Sequence, residues 1–125
     1  MNPQEGKGWQ EGSEGEFERI TERLRKFSED RDWGRYHTPR NLAVSVAIET
    51  GELLEHFQWK DDEELAEHLE RQGTLVESEI ADVLIYALNL AMSLGIDPAK
   101  AINDKITNNE LRFPAPGVAR PVGGA

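Results

Sequence analysis

IETGELLEHFQW, Ile48–Trp59, decides how this chain is read, together with EIADVLIY, Glu79–Tyr86. Glu49 and Glu52 stand three residues apart in an otherwise apolar run, and Glu79 and Asp82 repeat that spacing. Residues i and i+3 share one face of a helix, so each segment presents two carboxylates side by side. Two such helices packed together gather four carboxylates. Burying them is costly, because like charges repel and each loses hydration. A hard divalent cation removes that cost, and an all-oxygen donor set suits Mg²⁺ or Mn²⁺. The two stretches therefore predict a metal site built from two helices.

Working outward, Thr38 followed by Pro39 is a helix start, with Thr as N-cap and Pro at the first helical position. The helix is expected from Pro39 to about Gln58. Its core stripe is Leu42, Val46, Leu53 and Phe57, widened by Ala43, Ala47 and Ile48, so Glu49 falls on the apolar side and should be partly buried. Gly51 costs roughly 1 kcal/mol relative to Ala inside a helix. Tolerated looseness and close approach of another helix both explain it. His56 reads as a hydrogen-bonding neighbour of the acids, with no second His at ligand spacing.

Beyond Trp59 and Lys60, Asp61–Glu64 places four acids where a helix dipole favours them. A short amphipathic piece with Leu65 and Leu69 follows, interrupted at Gly73. Thr74 and Glu77 have capping-box spacing at the start of a long helix to Leu94. That helix is apolar nearly all round in its second half, which in a small domain predicts an oligomer interface. Gly95 supplies the stop, and Asp97 with Pro98 restarts the chain. The last helix, to about Arg112, carries Lys105, Asn109 and Arg112 at i, i+4 and i+7. This row is either simply solvated or, beside acids and a metal, suited to phosphate oxygens.

Toward the N-terminus, Phe17, Ile20, Leu24 and Phe27 recur at helical spacing with charges opposite, giving a first helix that ends near Arg31. The link Asp32–Thr38 contains Trp33, Tyr36 and His37. These aromatics either plug the edge of the core or form a platform on which a base stacks. Trp59 is open in the same way: core residue, or partner of Trp33 around a base. Residues 1–15 and 115–125, rich in Gly and Pro, are expected to be disordered tails around a helical domain at 16–114.

Composition narrows the function classes. The chain of 125 residues suits one domain with a modest core, since only 38% is hydrophobic and the mean hydropathy is −0.63. Cysteine is absent, which removes disulfides and thiol nucleophiles. No apolar run approaches the ~20 residues of a membrane span, and the N-terminus lacks a signal-peptide pattern. A cytoplasmic protein with no membrane partner is expected. The net charge of −10 argues against a nucleic-acid partner but not against a small phosphorylated ligand carried with metal.

The ordered set Arg31-Asp32-Trp33, Pro39-Arg40-Asn41-Leu42, Glu49-Thr50-Gly51-Glu52-Leu53, Phe57-Gln58-Trp59-Lys60, Glu79–Tyr86 and Lys105 with Asn109–Pro114 resembles the MazG-like nucleotide pyrophosphatases, in particular their dCTP pyrophosphatase branch. The resemblance covers Phe17 to Pro114. It implies an all-α, four-helix bundle whose helices pack across an oligomer interface as a dimer of dimers. It further implies Mg²⁺-dependent hydrolysis of a nucleoside triphosphate, first of all dCTP or a modified dCTP, to the monophosphate and pyrophosphate. By resemblance Glu49, Glu52, Glu79 and Asp82 hold the metal, Mn²⁺ substituting. Trp33, Trp59 and Tyr86 shape the base pocket, and Lys105 and Asn109 meet phosphate or sugar, with Arg112 continuing their row. Lys60–Thr74 is shorter than the insert of the relatives compared, which bears on the depth of the pocket. Two other readings remain at this point: a non-catalytic helical interaction module, and an enzyme like phosphoribosyl-ATP pyrophosphohydrolase.

Overall fold

The computed structural model describes residues 15–117. The predicted tails therefore lie outside the described residues, apart from Gly15 and residues 115–117. Among the described residues the chain is all-α: α1 (Glu16–Asp30), α2 (Pro39–Glu55), α3 (Asp62–Ser93) and α4 (Pro98–Arg112). The starts of α2 and α4 are capped as the sequence suggests. The Thr38 hydroxyl accepts from the Asn41 backbone N–H, and the Asp97 carboxylate accepts from that of Lys100. Side-chain caps of this kind contribute roughly 1 kcal/mol each.

The capping box forms at Asp61 rather than at Thr74. Asp61 Oδ1 accepts from the Glu64 N–H at 2.8 Å, and Glu64 Oε1 accepts from the Asp61 N–H at 3.2 Å. The acidic run at 61–64 thus starts one long helix, and Thr74 lies inside it. The interruption expected at Gly73 is present as a kink: Gln72 leaves helical geometry, at φ −117° and ψ 17°, while the helix continues on either side. At its far end Gly95 takes φ +70°, and the Ile96 N–H reaches back to the Ala91 carbonyl at 2.9 Å. This left-handed stop favours glycine.

α2 ends at Glu55, a turn earlier than its apolar pattern suggests. His56, Phe57 and Gln58 close back on the Leu53 and Leu54 carbonyls, and Trp59 then takes φ +66° to direct the chain into α3. Turn chemistry overrides periodicity there. α3 is the central element, packed along α2 and against α1 and α4. The chain turns through 104° between α3 and α4, and among the described residues no single helix is long and apolar enough to cross a membrane.

Packing within one chain is thin. Among the described residues only Leu42 on α2 and Val76 on α3 are buried, at 2% and 7% exposure. Apolar side chains stand on the surface of every helix, among them Ile20 on α1, Ile48 on α2, Leu84 on α3 and Ile106 on α4. A Cβ added at Gly51 would meet nothing within 4 Å, so no close crossing occupies that position inside the chain.

Candidate active site

The acids converge where α2 and α3 run alongside each other. One carboxylate oxygen from each of Glu49, Glu79 and Asp82 lies within 4.8 Å of the others, and all three residues are half-buried. Glu52, one helical turn beyond Glu49, is exposed but near enough to hydrogen-bond both Glu49 and Glu79. Glu49 Oε2 and Glu79 Oε2 are buried without a hydrogen-bond partner. Such oxygens are expensive to leave unmet.

Protonation reports the same strain. Burial, followed by the hydrogen bond and charge of Glu52 and the charges of Asp82 and Glu79, pushes the Glu49 carboxyl up to about 7. Burial also raises Glu79, reinforced by the charges of Glu52 and Asp82 and partly offset by His56. Unmet, converging, hard oxygen donors fit a divalent cation of the Mg²⁺ class, and nothing in the donor set favours a soft metal.

Asp82 belongs to a second feature. It lines a cavity of about 440 Å³ together with Ile20, Arg23, Leu24 and Phe27 from α1, Trp33 and His37 from the following loop, and Ile85, Tyr86 and Asn89 further along α3. Trp33 is wedged edge-on between Phe27, at 5.4 Å, and His37, at 5.8 Å. His37 Nδ1 lies 3.4 Å from the Ser28 hydroxyl, which ties the loop back to α1. The result is a mainly apolar cleft with carboxylates at one end and aromatic rings along its wall. It can hold a planar group on the rings while an anionic part of the same ligand meets the acidic end.

The residues singled out in the sequence thus divide in space. Glu49, Glu52, Glu79 and Asp82 come together, and Asp82, Tyr86 and Trp33 share the cavity. Trp59 does not line it: its side chain is 90% exposed on the α2–α3 turn. Lys105, Asn109 and Arg112 are exposed on α4 and are not among the lining residues, and the Arg112 guanidinium lies over the Phe113 ring at 5.1 Å. His37, read with its loop as a possible platform, does line the cavity, whereas the lining residues Arg23 and Asn89 were not singled out as site residues. Asn89 had a legible signal, an amide within the apolar run Val83–Ala91. His56 does have a histidine partner: its Nδ1 lies 2.8 Å from Nε2 of His68, across the hairpin. Their separation of twelve residues matches no helical spacing, so only the folded hairpin reveals the pair.

Residues 44–117 match the model of the MazG-like family. The chain is 38% identical over 104 residues to dCTP pyrophosphatase 1 of Bos taurus, covering 82% of this chain and 62% of that protein. It is 39% identical over 92 residues to dCTP pyrophosphatase 1 of Homo sapiens, covering 72% and 54%. The chain thus spans little more than half the length of these curated relatives. A solved pyrophosphatase structure from Archaeoglobus fulgidus superposes with a TM-score of 0.73 at 48% identity, covering 80% of this chain and 94% of that one.

Proposed function

The chain belongs to the MazG-like family, and on that premise we propose that it is a divalent-metal-dependent nucleoside triphosphate pyrophosphatase acting on dCTP or a modified dCTP. The observation that carries this reading is that Asp82 is at once a member of the acidic cluster and part of the wall of the aromatic cavity. A base lying against Trp33 and Tyr86 brings its phosphates to the carboxylates. Support for the substrate class comes from the relatives named dCTP pyrophosphatase 1 and from the pyrophosphatase that shares the fold.

Glu49, Glu79 and Asp82, with Glu52 beside them, would hold Mg²⁺, or Mn²⁺ in its place. Bound there, the cation supplies charge neutralisation for phosphate oxygens and makes water more acidic. The chain's own groups do the rest. Trp33 and Tyr86 orient the base, and the apolar wall limits water beside it. Glu52, the exposed member of the acid set, accepts a proton from the water that attacks the α-phosphorus. The bond from that phosphorus to the bridging oxygen breaks, leaving a monophosphate and pyrophosphate. Lys105, Asn109 and Arg112 meet the phosphates from α4 of another copy, since exposed apolar side chains such as Ile106 leave α4 open to association.

Pyrophosphate release from a panel of ribo- and deoxynucleoside triphosphates, with Mg²⁺ and with EDTA, tests the reading. Metal-dependent release from deoxycytidine triphosphates with monophosphate as co-product is the expected result. Silence across the panel from folded protein would overturn it.

A further inference from the structure

We propose that the tip of the α2–α3 hairpin is the subsite for the terminal phosphates of the substrate, the His56–His68 pair donating hydrogen bonds to the pyrophosphate that leaves. The inference rests on the triphosphate reading of the neighbouring acidic site and adds the groups that receive the leaving end.

Position along the hairpin comes first. Glu49, Glu52 and His56 follow one another at i, i+3 and i+7, and His56, which caps α2, keeps helical dihedrals at φ −70° and ψ −17°. Residues at that spacing share a face. On α3 the order runs from Tyr86 in the cavity through Asp82 and Glu79 in the acidic cluster to His68 near the tip. A nucleotide with its base against Trp33 and Tyr86 and its α-phosphorus at the acids therefore points its remaining phosphates towards the tip. From Glu52 to His56 is one helical turn, about 6 Å of rise. His56 is also close enough to Glu79 for its charge to act on that carboxyl.

The chemistry of the pair suits an anion. His56 Nδ1 and His68 Nε2 lie 2.8 Å apart, and both residues are half-buried. This is the one hydrogen bond that either ring makes among the described residues. The facing nitrogens share a proton. Whichever ring donates it, one outer nitrogen, His56 Nε2 or His68 Nδ1, carries an N–H, and with one added proton both do. Burial, and then the positive charges of Lys60, His56 and Arg71, hold His68 below its ordinary value, with no carboxylate offsetting them. The Lys60 ammonium is kept at the tip by the Glu55 carbonyl, 3.4 Å away. Basic groups gathered at one end of the hairpin face ask for an anion, as the acids beside them ask for a cation. A leaving pyrophosphate gains charge as its bond to the α-phosphorus breaks, and donors placed there stabilise it.

The test follows magnesium pyrophosphate and dCMP separately, by calorimetry and as product inhibitors, on the natural protein, His68→Gln and His56→Asn. The glutamine amide stands where Nε2 does and the asparagine amide where Nδ1 does, so each variant keeps the bond across the hairpin and loses an outer nitrogen. Circular dichroism checks the fold. Each variant should weaken pyrophosphate binding about 10- to 100-fold, the worth of a hydrogen bond to a charged group, and leave dCMP binding within about twofold. Unchanged pyrophosphate binding in both variants overturns the proposal, and so does an equal loss for both products, the mark of a pin that only holds the hairpin. Failure of the natural protein to bind magnesium pyrophosphate overturns it without any variant. Each of these results leaves the pyrophosphatase reading standing if the natural protein turns over a triphosphate. A natural protein silent on every triphosphate and on pyrophosphate overturns both.

Discussion

The α2–α3 hairpin and α4 each carry a row of charged or amide side chains at helical spacing, and the structure treats them differently. Glu49 and Glu52 on α2 meet Glu79 and Asp82 on α3 because the two helices run alongside each other, and two of the resulting oxygens are buried without partners. Lys105, Asn109 and Arg112 on α4 are no less regular, yet all are exposed. Spacing brings side chains to one face. Only packing against a second element turns that face into a site.

The largest effects should come from the hairpin. Asp82→Asn or Glu49→Gln should lower pyrophosphate release by about a thousandfold, because charge stabilisation of several kcal/mol is lost, with helix content unchanged by circular dichroism. Full activity in either variant would dissolve the contrast between the two rows. Next, Lys105→Ala should lower kcat/KM by about 10- to 100-fold, the worth of one charge-assisted hydrogen bond to phosphate, while Mg²⁺ binding measured by calorimetry stays the same. Mixing Asp82→Asn with Lys105→Ala protein, each impaired, should restore part of the activity if α4 completes the site of another copy. No recovery after subunit exchange would assign the α4 row to solvent.

Trp59→Ala should have a smaller effect, leaving KM for dCTP within about twofold of the natural value and the metal requirement unchanged, because the exposed indole does not line the cavity. A several-fold rise in KM would bring the indole into the site of another copy. The smallest effect concerns stability. Because the folded Glu49 carboxyl is raised from 4.5 to about 7, the folded state binds its proton more tightly than the unfolded chain does. The stability of metal-free protein should therefore be greatest below about pH 4.5 as far as this group decides, fall as pH rises to about 7, and level off above. Glu49→Gln should flatten that slope in thermal melts. Mg²⁺ at pH 8 should raise the natural protein's Tm by a few degrees. A metal-free profile that climbs between pH 5 and 7 would contradict the burial of Glu49.

The helices and their caps were legible because each rests on local chemistry: Thr38 before Pro39, Asp97 before Pro98, Gly95 at a left-handed stop. The acid pairs were legible for the same reason. The end of α2 at Glu55 was not, because the apolar pattern runs on to Phe57 while the turn at Trp59 obeys backbone demands that no periodicity records. The kink at Gln72 was placed one residue late, at Gly73, and the capping box was assigned to Thr74 because the acids at 61–64 read as a separate short helix. The cavity could not be drawn from sequence at all. Its wall comes from α1, a loop and α3, and its polar members Arg23, His37 and Asn89 acquire meaning only once those segments meet.

Leu42 and Val76, the two buried apolar side chains among the described residues, carry a last consequence. With so little apolar area shut away by a single copy, the free energy that holds the helices must come largely from encounters between copies, and it then obeys mass action. Melting temperature should climb with protein concentration, and dilution alone should act as a denaturant.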